Sequence, residues 1–114
     1  MSYDLAFWYE EKEINAEAAY QKYVAMTDGE SGIVTEYPGV AEFCRDALQA
    51  YPDLSEENAE ESPWSSPVYR TGECVLVAIS WSRKDEVSTS LITMAQNRGL
   101  VTYDPQKEEV IQRG

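Results

Sequence analysis

A pair of carboxylates is the minimal equipment for acid–base or glycosidic chemistry, and Asp4 and Asp104 are the candidates for such a pair. Their flanking residues supply no general acid, oxyanion donor or metal ligand set, and Asp-Pro, as in Asp104-Pro105, commonly opens a turn. A structural role at strand ends is the stronger expectation. The chain contains no histidine, which excludes Ser-His and Cys-His nucleophile pairs, histidine general bases and histidine-ligated metals. Cys44 and Cys74 form neither a CxxC motif nor a disulfide framework. They read as buried thiols behaving as small hydrophobes. The run Asp53, Glu56, Glu57, Glu60, Glu61 could attract calcium, but an EF-hand alternates oxygen ligands at fixed positions around a glycine. That spacing is missing. No catalytic residue, cofactor or metal site is therefore expected, and the chain does not read as an enzyme.

The charge is more informative than any single motif. The 114 residues carry 21 Asp+Glu against 9 Lys+Arg, a formal charge of −12. Residues 1–63 hold 15 acids and 3 bases, whereas residues 64–114 hold 6 of each. All the excess is in the first half. Such a chain disfavours direct contact with a phosphate backbone, which rewards clustered Lys and Arg. A one-sided negative surface suits a basic protein partner, since complementary charge steers association and adds specificity. An acidic face that serves only solubility is the plainer alternative.

The elements that must carry these residues follow from periodicity. Residues 2–9 alternate as a strand, with Tyr3, Leu5, Phe7 and Tyr9 on one face and Asp4, Ala6 and Trp8 on the other. Asn15 suits the N-cap of a helix carrying Ala18, Ala19, Tyr23 and Met26. Pro38 suits the first turn of a second helix with Val40, Phe43, Ala47, Leu48 and Tyr51, stopped by Pro52. Residues 53–67 form a long connection. Strands over 68–71 and 74–81 flank Gly72, and the run Cys74–Ile79, apolar on both faces, reads as a central strand covered on both sides. Ser82 with Asp85 resembles a capping box for a third helix carrying Val87, Leu91, Met94 and Ala95, with Gly99 just past its end. Residues 100–104 make another strand, and Val110 and Ile111 add a short one. The order β-α-α-β-β-α-β predicts an α+β fold, a ferredoxin-like split β-α-β sandwich with a mostly antiparallel sheet and helices on one face. It forms a single domain over 1–114. In that arrangement strand 2–9 is expected to run parallel to 74–81, with Trp8 and Trp81 at one end of the sheet and Asp4 meeting Asp104 at the other.

Trp8 and Trp81 are expected in the core or on the sheet face. Trp64, between two prolines just after the acidic run, either folds back as a core lid or anchors a partner, a role in which tryptophan is over-represented.

The segments Tyr3-Asp4-Leu5-Ala6-Phe7-Trp8, Ser62-Pro63-Trp64, Trp81-Ser82-Arg83 with Glu86-Val87, and Gly99-Leu100-Val101 with Tyr103-Asp104-Pro105-Gln106 resemble a family of small acidic bacterial proteins. Its members begin "YDLAVW" and end "GLVxYDPQ", and some resemble immunity proteins of contact-dependent or other polymorphic toxin systems. The chain departs from that pattern at Phe7 and in its Glu-rich middle. The resemblance implies a fold more than an activity and carries no toxin class.

Together these readings predict an immunity protein that neutralises a cognate toxin domain, with a basic nuclease the best match to the charge. The expected partner-binding residues are Glu10, Glu11, Glu13, Asp53, Glu56, Glu57, Glu60, Glu61 and Trp64. Direct nucleic-acid or membrane binding is not expected. With no leader behind Met1 and no run of about 20 apolar residues, the expected compartment is the cytoplasm. The alternative is a small-ligand-binding or housekeeping α+β protein with an aromatic pocket near Trp8 and Trp81.

Overall fold

A strand whose two faces are both apolar needs cover on both sides, and this decides the architecture of the computed structural model, which describes residues 1–114. Strand β1 (Ser2–Trp8) directs Tyr3, Leu5 and Phe7 into one cluster of buried side chains and Ala6 and Trp8 into another. The first cluster is closed by helix α2 (Pro38–Ala50), through Val40, Phe43, Cys44 and Ala47, and by helix α3 (Lys84–Asn97), through Val87, Leu91 and Ala95. The second is closed by helix α1 (Ala16–Thr27), which buries Ala19 and Met26 and packs Tyr23 beside them. Asn15 caps α1, its side chain accepting from the Ala18 N–H at 2.8 Å. Helices therefore lie on both faces, not on one as expected. The physical reason is in the sequence: Ala6, Trp8, Cys74, Val101 and Tyr103 would otherwise face water.

The fold is α+β, with a five-stranded sheet in the order β2-β3-β1-β4-β5. Its strands are β1, β2 (Tyr69–Arg70), β3 (Cys74–Ser80), β4 (Val101–Asp104) and β5 (Glu109–Ile111), and every neighbouring pair is antiparallel. The expected parallel pairing of 2–9 with 74–81 is thus corrected. The turn around Gly72 reverses the chain once more before β3, so Ser2 faces Ser80 and Trp8 faces Cys74. Trp8 and Trp81 consequently sit at opposite ends of the sheet.

Several boundaries also move. The strand expected over 68–71 keeps only two residues, and β3 ends at Ser80, where Trp81–Arg83 turn as a short 3-10 helix. The Ser82/Asp85 capping box does not form, because Ser82 lies inside the 3-10 turn and Arg83 stands at the N-cap of α3; Asp85 accepts from the Lys84 ammonium at 2.9 Å.

The long connection after α2 has a structural task. Because β2 pairs only with Val75 and Leu76, the rest of the β3 edge would be bare. The segment Pro63–Ser65 covers it: Ser65 N–H donates to the Ala78 carbonyl at 2.8 Å, Ser80 N–H donates to the Pro63 carbonyl at 2.6 Å, and Trp64 bridges Ile79. Exposed edges invite pairing with other chains. Here one is closed by an irregular segment.

Candidate partner-binding surface

The expected carboxylate pair is not assembled. Asp104 lies on the Tyr3 face of the sheet, where it accepts from the Tyr3 hydroxyl, from the backbone N–H of Gln106 and Lys107 at 3.0 and 3.2 Å, and from Gln106 Nε2 at 2.8 Å. Asp4 points to the other face and accepts from Ser2 Oγ at 2.9 Å. Gln106 joins the strands by backbone contacts, its Nε2 donating to the Asp4 carbonyl at 2.7 Å and its Oε1 accepting from the Asp4 N–H at 2.5 Å. Asp104 and Gln106 together form a clasp between β1 and the β4–β5 turn. Burial, followed by the bond to Asp104 and the charge of that residue, pushes the Tyr3 phenol well above its ordinary range. Burial raises both cysteine thiols too, which disfavours the reactive thiolate.

The expected partner-binding residues are spread along the sheet, with Asp53, 3.7 Å from the Arg70 guanidinium opposite Val75, lying apart from the acids at either end. Glu10, Glu11 and Glu13 follow the Trp8 end of β1. Glu61 lies beside Arg83, whose guanidinium donates to the Glu61 carbonyl at 3.2 Å, just past the Ser80 end of β3. The seven residues of β3, rising about 3.3 Å each, put roughly 20 Å between those ends. A single continuous acidic face is not formed.

Some of these carboxylates are committed to the fold. Glu10 accepts from the Trp8 indole N–H at 2.7 Å and pairs with Lys22 at 2.6 Å. Asp53 accepts from the N–H groups of Leu54 and Val68 at 2.9 and 3.0 Å, so it ties the start of the long connection to its end. Glu11, Glu13, Glu56, Glu57, Glu60 and Glu61 are exposed, and their carboxylates enter no ion pair.

Trp64 is a core lid. It is 2% exposed, its indole N–H donates to the Tyr51 carbonyl at 3.0 Å, and its ring meets Tyr51 edge-on at 6.0 Å. The exposed tryptophan is Trp81, at 44%, which periodicity assigned to the sheet. Its ring lies 5.8 Å from that of Tyr3, and the Lys84 ammonium is 5.2 Å from its centroid. The signal that could have found it is the polar Ser80-Trp81-Ser82-Arg83 sequence, in which the apolar strand run has already ended. Trp81 opens the turn that contains Arg83, and it is Arg83 that ties this turn to the backbone of Glu61. Trp8, by contrast, is fully buried near Tyr103, so the expected aromatic pocket shared by Trp8 and Trp81 does not exist.

This end of the sheet thus carries an exposed indole on one turn and exposed, unpaired carboxylates on the segment that meets that turn at Glu61. Comparison with protein-family models, curated proteins and solved structures gives no match.

Proposed function

We propose that this chain is an immunity protein, binding and neutralising a basic bacterial toxin domain, with a nuclease as the toxin class that fits best. The observation that carries the reading is the run of four exposed carboxylates without ion pairs, Glu56, Glu57, Glu60 and Glu61, on a segment whose last member meets the Trp81–Arg83 turn through its backbone carbonyl. A nuclease cleft is built to hold phosphates, and a carboxylate-rich surface competes for the same cations. An aromatic anchor then supplies affinity that rim charges do not. The charge asymmetry between residues 1–63 and 64–114 and the resemblance to immunity-like proteins support the same reading. The proposed place of action is the cytoplasm, where an incoming nuclease meets its target. No helix is long and apolar enough to cross a membrane.

The ferredoxin-like description belongs to this proposal. The order β2-β3-β1-β4 with α2 and α3 on one face supports it, and α1 and β5 are additions to that frame.

Coexpression with the product of the adjacent reading frame tests the function. The expected result is rescue of growth together with a stable complex of the purified proteins. An adjacent toxin that kills equally with and without this chain, and does not bind it, would overturn the reading.

A further inference from the structure

On the α1 side of the sheet, away from Trp81, a depression of about 290 Å³ is lined by Ala16, Glu17 and Tyr20 of α1, Tyr103 of β4 and Glu108 of the β4–β5 turn. Neither Glu17 nor Glu108 enters an ion pair. Tyr20 is 47% exposed, whereas Tyr103 is fully buried and its hydroxyl has no hydrogen-bond partner. A buried polar atom left unpaired is costly, and a native chain that keeps one calls for an explanation. Glu108 adds a second anomaly: it is the one non-glycine residue with positive φ, at 53°. Glycine or asparagine takes that conformation more readily, yet the turn carries a carboxylate there.

We propose that this depression is a binding site for an organic cation, an alkylammonium or guanidinium group seated between the Glu17 and Glu108 carboxylates and the Tyr20 ring above Tyr103. The two carboxylates supply charge, Tyr20 supplies a π face, and the unpaired Tyr103 oxygen is an acceptor for an N–H. Burial and then the negative charge of Glu108 raise the Tyr103 phenol, so it stays protonated and can also donate to a carboxylate. A bare metal ion fits less well, because no group of three or more potential protein ligands converges anywhere in the chain. The volume is at the small end of ligand sites, about 300–1,000 Å³, and suits one cationic head on a short apolar stem. The cation can be a free amine or a Lys or Arg side chain of a protein. The proposal does not rest on the immunity reading.

The test uses the purified chain alone, so its failure leaves the toxin-binding result untouched. n-Butylammonium and n-propylguanidinium chlorides are titrated at constant ionic strength, with amide resonances followed by NMR. The expected result is a saturable shift centred on Glu17, Tyr20, Tyr103 and Glu108, with n-butanol producing none. Glu17→Gln with Glu108→Gln should weaken binding at least tenfold. Glu108→Gly, which relieves the left-handed backbone, should also weaken it while melting no lower than the parent, and this separates loss of ligation from loss of fold. Acetyl-lysine and acetyl-arginine methylamides distinguish the sources: affinity equal to or above that of the free cations assigns the site to a side chain, and loss of affinity assigns it to a free amine. Linear shifts spread equally over Glu56–Glu61, or shifts that survive the double substitution, would overturn the site.

Discussion

Two tryptophans with similar flanking composition have opposite fates, and the difference is one of backbone hydrogen bonding. Trp64 sits where Ser65 and Pro63 pair with β3, so its indole is drawn under Tyr51 and out of water. Trp81 comes one residue after β3 ends, where the chain turns into a 3-10 helix, and its ring is left half in solvent. Trp64→Ala should therefore destabilise the fold by about 3–5 kcal/mol, the range for removing a buried large aromatic side chain, read as a lower melting temperature and denaturant midpoint. Trp81→Ala should leave the melting temperature nearly unchanged and, under the proposed immunity function, speed dissociation of the complex, by a factor corresponding to about 2 kcal/mol for a hot spot. Equal loss of stability in the two variants would remove the distinction. In the sequence only the polar residues flanking Trp81, Ser80 and Ser82-Arg83, mark the end of the apolar run, and the end of pairing with β1 at Ser2–Ser80 shows where the strand stops.

The elements were largely legible because their apolar residues recur at three and four: Ala19, Tyr23 and Met26 in Ala16–Thr27, Val40, Phe43 and Ala47 in Pro38–Ala50, and Val87, Leu91 and Met94 in Lys84–Asn97. Their placement was less legible. Leu76 and Cys74 facing one way and Val75, Val77 and Ile79 the other already demanded two covering layers, but α1, with small residues such as Ala19 on its buried side, looks too weakly apolar to supply one. It suffices because Trp8 and Tyr103 bring their own bulk from the sheet. Val77→Asp should abolish soluble folding, since it buries an unpaired carboxylate in the central layer; a soluble, cooperatively melting variant would contradict that placement. The α2–α3 contact carries a pH dependence. The Arg98 guanidinium bonds Asp46 at 2.8 and 3.2 Å and holds its carboxyl below the usual range. A carboxylate lowered in the folded state binds its proton first in the unfolded chain, where its value is about 4. Its stabilising contribution is thus full above that pH and is lost as pH falls through the lowered folded value. The difference in melting temperature between the parent and Asp46→Asn should be constant from pH 7 to about 5 and shrink below about 4. Comparing the two proteins cancels the opposite effect of protonating the many other carboxylates, which relieves self-repulsion.

Across the whole molecule, the acids behind the −12 charge are not gathered in one place: Glu11 and Glu13 follow the Trp8 end of the sheet, whereas Glu61 lies at the Ser80 end, where Trp81 is exposed. At the Trp8 end, Lys12, Lys22 and Arg113 stand among the acids, with Lys22 fixed to Glu10 and Arg113 donating to the Glu11 carbonyl at 3.0 Å. At the Ser80 end, Glu56, Glu57, Glu60 and Glu61 have no cation paired to their carboxylates, and Arg83 spends its Nε on Glu86 at 2.7 Å. Charge felt at long range speeds association and is screened by salt over about 10 Å at 0.1 M. A partner that docks on Trp81 should therefore sense the nearer acids far more strongly than those roughly 20 Å away along the strands. Changing Glu56, Glu57, Glu60 and Glu61 together to Gln should slow association with the proposed toxin partner and flatten its dependence on ionic strength, while leaving the melting curve nearly unchanged because these side chains are exposed. Changing Glu11 and Glu13 to Gln should alter the association rate much less at 0.1 M salt. Stopped-flow association across a salt series separates the two ends. If the Glu11/Glu13 variant proves the slower, the proposed partner docks at the Trp8 end, and Trp81 is then an exposed ring with no part in binding.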